Sequence, residues 1–181
     1  MMASSASRPR SAGRSISDLT TLDQLIVGVL LLFLAVFVFE LMLLVPCGGW
    51  ENLSTCTTPI ATTGAWSAYF ELDPYWAEMP AWFAAIMNIQ DYVFNPFWTL
   101  SLFMYLSHRQ NAVWFRTATI AVSASIITTN TVYFAAEAAH PLMDSVTFGK
   151  LVLINIWWSV GPALFILRMH GAGARAREVS P

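Results

Sequence analysis

The run Leu25–Val45, LIVGVLLLFLAVFVFELMLLV, decides the fold. It is one bilayer thickness of apolar side chains, because about 20 such residues in a helix span the hydrocarbon layer. A single carboxylate, Glu40, interrupts it. An ionisable group in that setting is costly unless it has a partner or a task. The run is too long for the apolar core of a secretory signal. Pro46-Cys47-Gly48-Gly49 follows it where a small-residue cleavage site would stand. It reads as a retained span.

The rest of the chain agrees. Of 181 residues, 56% are hydrophobic and only 11% charged, against about a quarter charged in soluble domains. The net charge of −2 and the lack of Lys/Arg clusters among aromatics give no nucleic-acid surface. Cys47 and Cys56 form no CxxC and have no histidines at ligand spacing, so neither metal nor cofactor is expected. Three further apolar stretches complete spans at about 25–45, 81–106, 112–137 and 146–167. The expected fold is all-α, a polytopic integral-membrane four-helix bundle over residues 25–168. Residues 1–24 and 169–181 read as cytoplasmic tails, the first of them disordered. Asn95-Pro96 predicts a kink in the second span, since proline lacks a backbone donor. Trp50, Trp66, Tyr69, Tyr75, Trp76 and Trp82 read as an interfacial aromatic belt.

Charge sets the expected topology. Arg8, Arg10 and Arg14 precede the first span, Arg109 and Arg116 lie between the second and third, and Arg168, Arg175 and Arg177 follow the fourth. The other connectors hold only Lys150, with Glu51, Glu71, Asp73 and Glu78 in the longer one. The positive-inside rule then places both termini in the cytoplasm. The Cys47–Cys56 loop faces the lumen or exterior, where a disulfide is permitted; two free thiols are the alternative.

With that topology, and about 1.5 Å of rise per helical residue, sequence positions become depths. Glu40 lies about a turn beneath the outer interface, and Asn88, Gln90 and Asp91 lie two to three turns below it. Asn130, Tyr133 and Glu137 share one face of the third span. Asn155 and Trp158, three apart, fall in the outer half of the fourth. Polar side chains of all four helices thus reach one slab of the membrane. Asn88, Asn95 and Asn130 read equally well as interhelical hydrogen-bonding glue, and Glu137 lies near enough to the interface to be solvated. His108 and His170, at the cytoplasmic edge, read as bystanders, and His140 lies in an outer turn. The site so assembled is an apolar cavity with carboxyl groups and indole rings. A neutral carboxylic acid can protonate an alkene, and indole faces stabilise the resulting cation. The same cavity could bind an amphiphilic amine or a sterol without reacting.

The residues carry a resemblance to the EXPERA family of sterol delta-8/delta-7 isomerases and sigma-2-type receptors. Glu40-Leu-Met-Leu-Leu-Val-Pro46, Asp73-Pro74 with Pro80-Ala81-Trp82-Phe83, and Trp114-Phe115-Arg116-Thr117 resemble its motifs. So do Val122–Glu137, with Ser123, Asn130 and Tyr133, and Asn155-Ile156-Trp157-Trp158 before Gly161-Pro162. The resemblance runs from Leu25 to Leu167. It implies an endoplasmic-reticulum membrane protein whose cavity opens to the bilayer and accepts a sterol or isoprenoid, alone or as a homo- or heterodimer. It also implies Glu40 as catalytic or ligand-binding acid, Asp73 as a second acid, and Asn155 with Trp158 as the cation-stabilising wall. The chain departs from the family at Val36, where the isomerases carry histidine, and at Gln90, where the receptors carry glutamate. Some relatives are implicated in terpenoid cyclisation. The expected function is therefore isomerisation or cyclisation of a sterol or terpenoid alkene. Glu40 is its proton donor, Asp91 and Glu137 its acceptor or relay, and Asp73, Asn88, Gln90, Asn130, Tyr133, Asn155 and Trp158 its substrate contacts. A non-catalytic binding protein for sterols or amphiphilic amines is the alternative.

Overall fold

The computed structural model describes residues 15–178, and the secondary structure in that range is entirely helical. Most of the expected N-terminal tail, including Arg8, Arg10 and Arg14, lies outside it. From Ser15 onward the chain is not disordered: a 3-10 turn covers Ile16–Asp18, and α1 spans Thr21–Cys47. Thr20 caps α1 by accepting the Asp23 amide, so the helix starts before the apolar run does. It ends at Gly48, whose φ of 75° is the left-handed conformation that glycine adopts at no steric cost.

Cys47 and Cys56 are joined in a disulfide, with Cα atoms 5.3 Å apart, across the 3-10 turn Trp50–Thr55. Short helices follow: α2 (Pro59–Thr62), α3 (Gly64–Leu72) and α4 (Pro74–Glu78). Asp73 caps α4 and Pro74 opens it, a pairing suited to a helix start because proline's missing N–H is not needed there.

The second apolar stretch is helical throughout but not regular. α5 (Ala81–Ile89) passes through a π-helical turn, Gln90–Phe94, into α6 (Asn95–Leu106). The expected irregularity at Asn95-Pro96 is displaced one turn N-terminally. The Asn95 amide reaches back five residues to the Gln90 carbonyl. The extra residue turns the helix face by about 100°. α7 spans Val113–Ala138.

The fourth stretch is not one straight helix. α8 (Ser145–Asn155), capped by Asp144, meets α9 (Trp157–Glu178) at a 42° bend. The Asn155 amide bonds back to the Leu151 carbonyl at 3.1 Å, a side-chain competition that bends helices. α9 continues through the region expected to be a tail.

By length and composition α1 and α7 are apolar enough to cross a membrane, and α8–α9 makes a third if taken as one bent span. Val45, Val113 and Leu153 are each more than 70% exposed. Lipid tails solvate such side chains where a helix crosses a membrane.

Packing falls into two clusters. One joins Ile26, Leu30 and Phe33 of α1 to Trp98, Phe115 and Phe165. The other gathers Leu43, Trp50, Trp66, Trp76, Phe83 and Tyr133. Trp50, Trp66 and Trp76 are therefore core residues, at 1%, 5% and 6% exposure, and not an interfacial belt. The short helices α2–α4 fold their rings inward on one another instead of presenting them to headgroups. Tyr75 and Trp82, partly exposed and in edge contact, fit the expected belt better.

α9 lies against α1 at Gly161, where an added Cβ would sit 2.7 Å from Phe33 Cζ and 2.8 Å from Val29 Cγ1. Phe33 has little room to retreat, because it also packs on a stacked Trp158 at 4.4 Å and a tilted Trp98 at 5.6 Å. Gly161→Ala is expected to cost about 1–3 kcal/mol by overpacking, read as earlier thermal denaturation in detergent micelles.

Candidate functional site

A cavity of about 310 Å³ lies among α1, α3–α5, the π-helical turn and α7–α9. That is within the usual range for small-molecule pockets. Of the residues expected from sequence, Glu40, Gln90, Asn130, Tyr133, Asn155 and Trp158 line it. Val36, one turn before Glu40, lines it too. Phe39 and Ile154, 40% and 53% exposed, belong to the same wall, so the cavity reaches the surface between α1 and α8.

Glu40 is 4% exposed and receives both hydrogen bonds from one amide, Gln90 Nε2, at 3.2 and 3.3 Å. Its hydrogen bonding comes from a neutral partner. Trp158 closes another wall, its ring held parallel to Phe33. Asn130 bonds across to Ser159 at 3.4 Å, tying α7 to α9.

Behind the cavity is a second acidic centre. Asp73 is fully buried and accepts the hydroxyls of Tyr133 and Tyr69, the latter at 3.2 Å, besides the Trp76 amide at 3.3 Å. Tyr69 also accepts Asn155 Nδ2 at 3.0 Å. Burial pushes the Asp73 carboxyl above the usual range, and the hydrogen bonds it accepts from Tyr133, Tyr69 and the Trp76 amide partly offset this. Burial and the Asp73 charge likewise push the Tyr69 phenol up. Glu137 is not solvated, as its place near the helix end suggested. It is 0% exposed, and neither of its carboxyl oxygens has a donor.

Three expectations need correction. Asp91, expected as proton acceptor, does not line the cavity. It accepts Trp50 Nε1 at 2.6 Å and Asn95 Nδ2 at 3.2 Å, because the π-helical turn aims Gln90 at Glu40 and Asp91 at the disulfide loop. Asp73 supports the wall without forming it, since the two phenols cover it. Asn88 is half-buried outside the cavity. His140 pairs with Glu78 at 3.6 Å and packs on Tyr75, also outside. The residues missed from sequence are Tyr69, Trp66 and Trp76, all lining the cavity. The clue to them was local: each lies within a turn or two of Asp73, on helices too short to span.

The result is a largely apolar chamber lined by one carboxyl group, two phenols, three amides and five indole or phenyl rings. It can deliver a proton and can hold a cation. The chain matches no family model, no curated protein and no solved structure.

Proposed function

We propose that the protein is a four-span membrane protein with both termini cytoplasmic, of the endoplasmic-reticulum type, which isomerises or cyclises a sterol or terpenoid alkene. One observation carries this reading: Glu40 and Trp158, 118 positions apart in sequence, line the same cavity. In this reading the stretch 81–106, helical through its π-helical turn, is the remaining span.

In this mechanism the protonated Glu40 adds its proton to the substrate double bond. Gln90 Nε2 holds the carboxyl in place and stabilises the carboxylate left behind. The carbocation forms against the face of Trp158, whose quadrupole attracts positive charge. Asn155 directs its amide to Tyr69 and fixes that wall. Water is excluded by the surrounding rings, which protects the cation from capture.

Incubating the purified protein in deuterated buffer with 5α-cholest-8-en-3β-ol and with geranylgeraniol tests the reading. Deuterium in a rearranged product supports it. A second reading, a binding protein for cationic amphiphiles, is favoured by the pairing of Glu40 with a neutral amide, which leaves room for an ammonium group. Tight amine binding with no alkene turned over would select it.

Trp158→Leu separates cation stabilisation from packing. Turnover is expected to fall at least about tenfold more than substrate affinity, since the indole acts most strongly on the charged transition state. Equal losses in single-turnover rate and in binding would remove that role.

A further inference from the structure

Removing the proton from the cation needs a base, and the cavity wall supplied by α7 contains one. Tyr133 gives its only hydroxyl proton to Asp73. No donor occupies the lone pairs of its oxygen among the hydrogen bonds of the described residues, whereas Tyr69 is already engaged by Asn155. The Tyr133 ring is clamped in a stack with Phe83, 5.4 Å away, and both rings line the cavity. Asp73 lies behind it, fully buried and outside the cavity wall.

We infer that Tyr133 is the proton acceptor of the reaction and that the buried Asp73 carboxylate, acting through it, is the proton sink. The inference rests on the proposed alkene chemistry and deepens it. In the step, a C–H bond next to the cationic carbon breaks and its electron pair forms the new double bond. The proton passes to the Tyr133 oxygen as the phenolic proton moves to the Asp73 carboxylate. A neutral phenol is base enough, because a hydrogen beside a carbocation is extremely acidic. Each turnover takes one proton from Glu40 and leaves one on Asp73, and exchange with water resets both. Donor and acceptor stand on different helices, so the proton removed is not the one delivered.

Tyr133→Phe keeps the stacked ring and removes only the hydroxyl. With the same two alkenes in deuterated buffer, the wild-type product is expected to fall about 100-fold while substrate consumption falls less than about tenfold. The difference should appear as other double-bond isomers and water adducts. Asp73→Asn, which keeps the helix cap and an acceptor for the phenols, should divert products the same way. Saturable binding of N,N-dimethyldodecylamine shows whether each variant retains its cavity; where Tyr133→Phe loses it, Asp73→Asn decides. Unchanged product ratios and rates in variants that bind the amine would overturn the inference and leave the function standing. A wild-type protein that incorporates no deuterium into either alkene would overturn the function, and the inference with it.

Discussion

Glu40→Gln is expected to lower turnover by about 1,000-fold or more, at the upper part of the range for losing a general acid. The side chain keeps its shape, and its amide oxygen can still accept Gln90 Nε2, so the helix contact at 3.2 Å survives. What is lost is the transferable proton. Affinity for an uncharged alkene should change only a few-fold, because the substitution replaces one polar group by another of equal size. Affinity for a tertiary amine should fall much further, since the ammonium loses its counter-charge. The check is a paired measurement of single-turnover rate and equilibrium binding on the same preparation. A variant that turns over normally would leave Glu40 with a structural role only.

The second large effect concerns stability at the other end of the molecule. Arg168, 8% exposed, bonds through Nε to Asp23, and its Nη2 reaches Asp23 at 3.2 Å and Asn111 at 3.1 Å. Asp23 is 2% exposed, with Gln110 Nε2 at 3.5 Å as its other side-chain donor. The pair joins the start of α1 to α9. Removing one partner strands the other charge away from water. Arg168→Met is therefore expected to destabilise by about 3–5 kcal/mol. Removing both should cost far less, because no buried charge remains. Thermal denaturation of Arg168→Met, Asp23→Leu and the double variant in detergent checks this: the double variant should be more stable than either single one.

Much of the site could be read from the chain, and the failures share a cause. Glu40 stood out because a carboxylate in an apolar run has so few explanations, and Asn155 with Trp158 because their spacing puts them on one face. Tyr133 was legible for the same reason. Asp91 was misassigned because the π-helical turn changes the register by one residue, and no local signal distinguishes that from a proline kink displaced by a turn. The hydrogen bond from Tyr133 to Asp73 joins residues 60 apart and depends on short helices folding inward. Hydropathy cannot say whether tryptophans on such helices meet headgroups or each other. Arg168 reads from its position as a topological charge, whereas its burial against Asp23 is a tertiary fact. The break between α8 and α9 was likewise hidden, since Asn155 bends the helix through a side-chain bond to its own backbone.

The claim beneath all of this is that Glu40 and Trp158 face one cation-holding chamber. Photolabelling the purified protein with a diazirine-bearing tertiary-amine amphiphile, with adducts mapped by mass spectrometry, tests it most directly. Adducts should concentrate on α1 around Glu40 and on the α8–α9 junction around Trp158, and should disappear in Glu40→Gln. Labelling confined to exposed apolar positions such as Val113 and Leu153, or labelling unchanged in that variant, would contradict it.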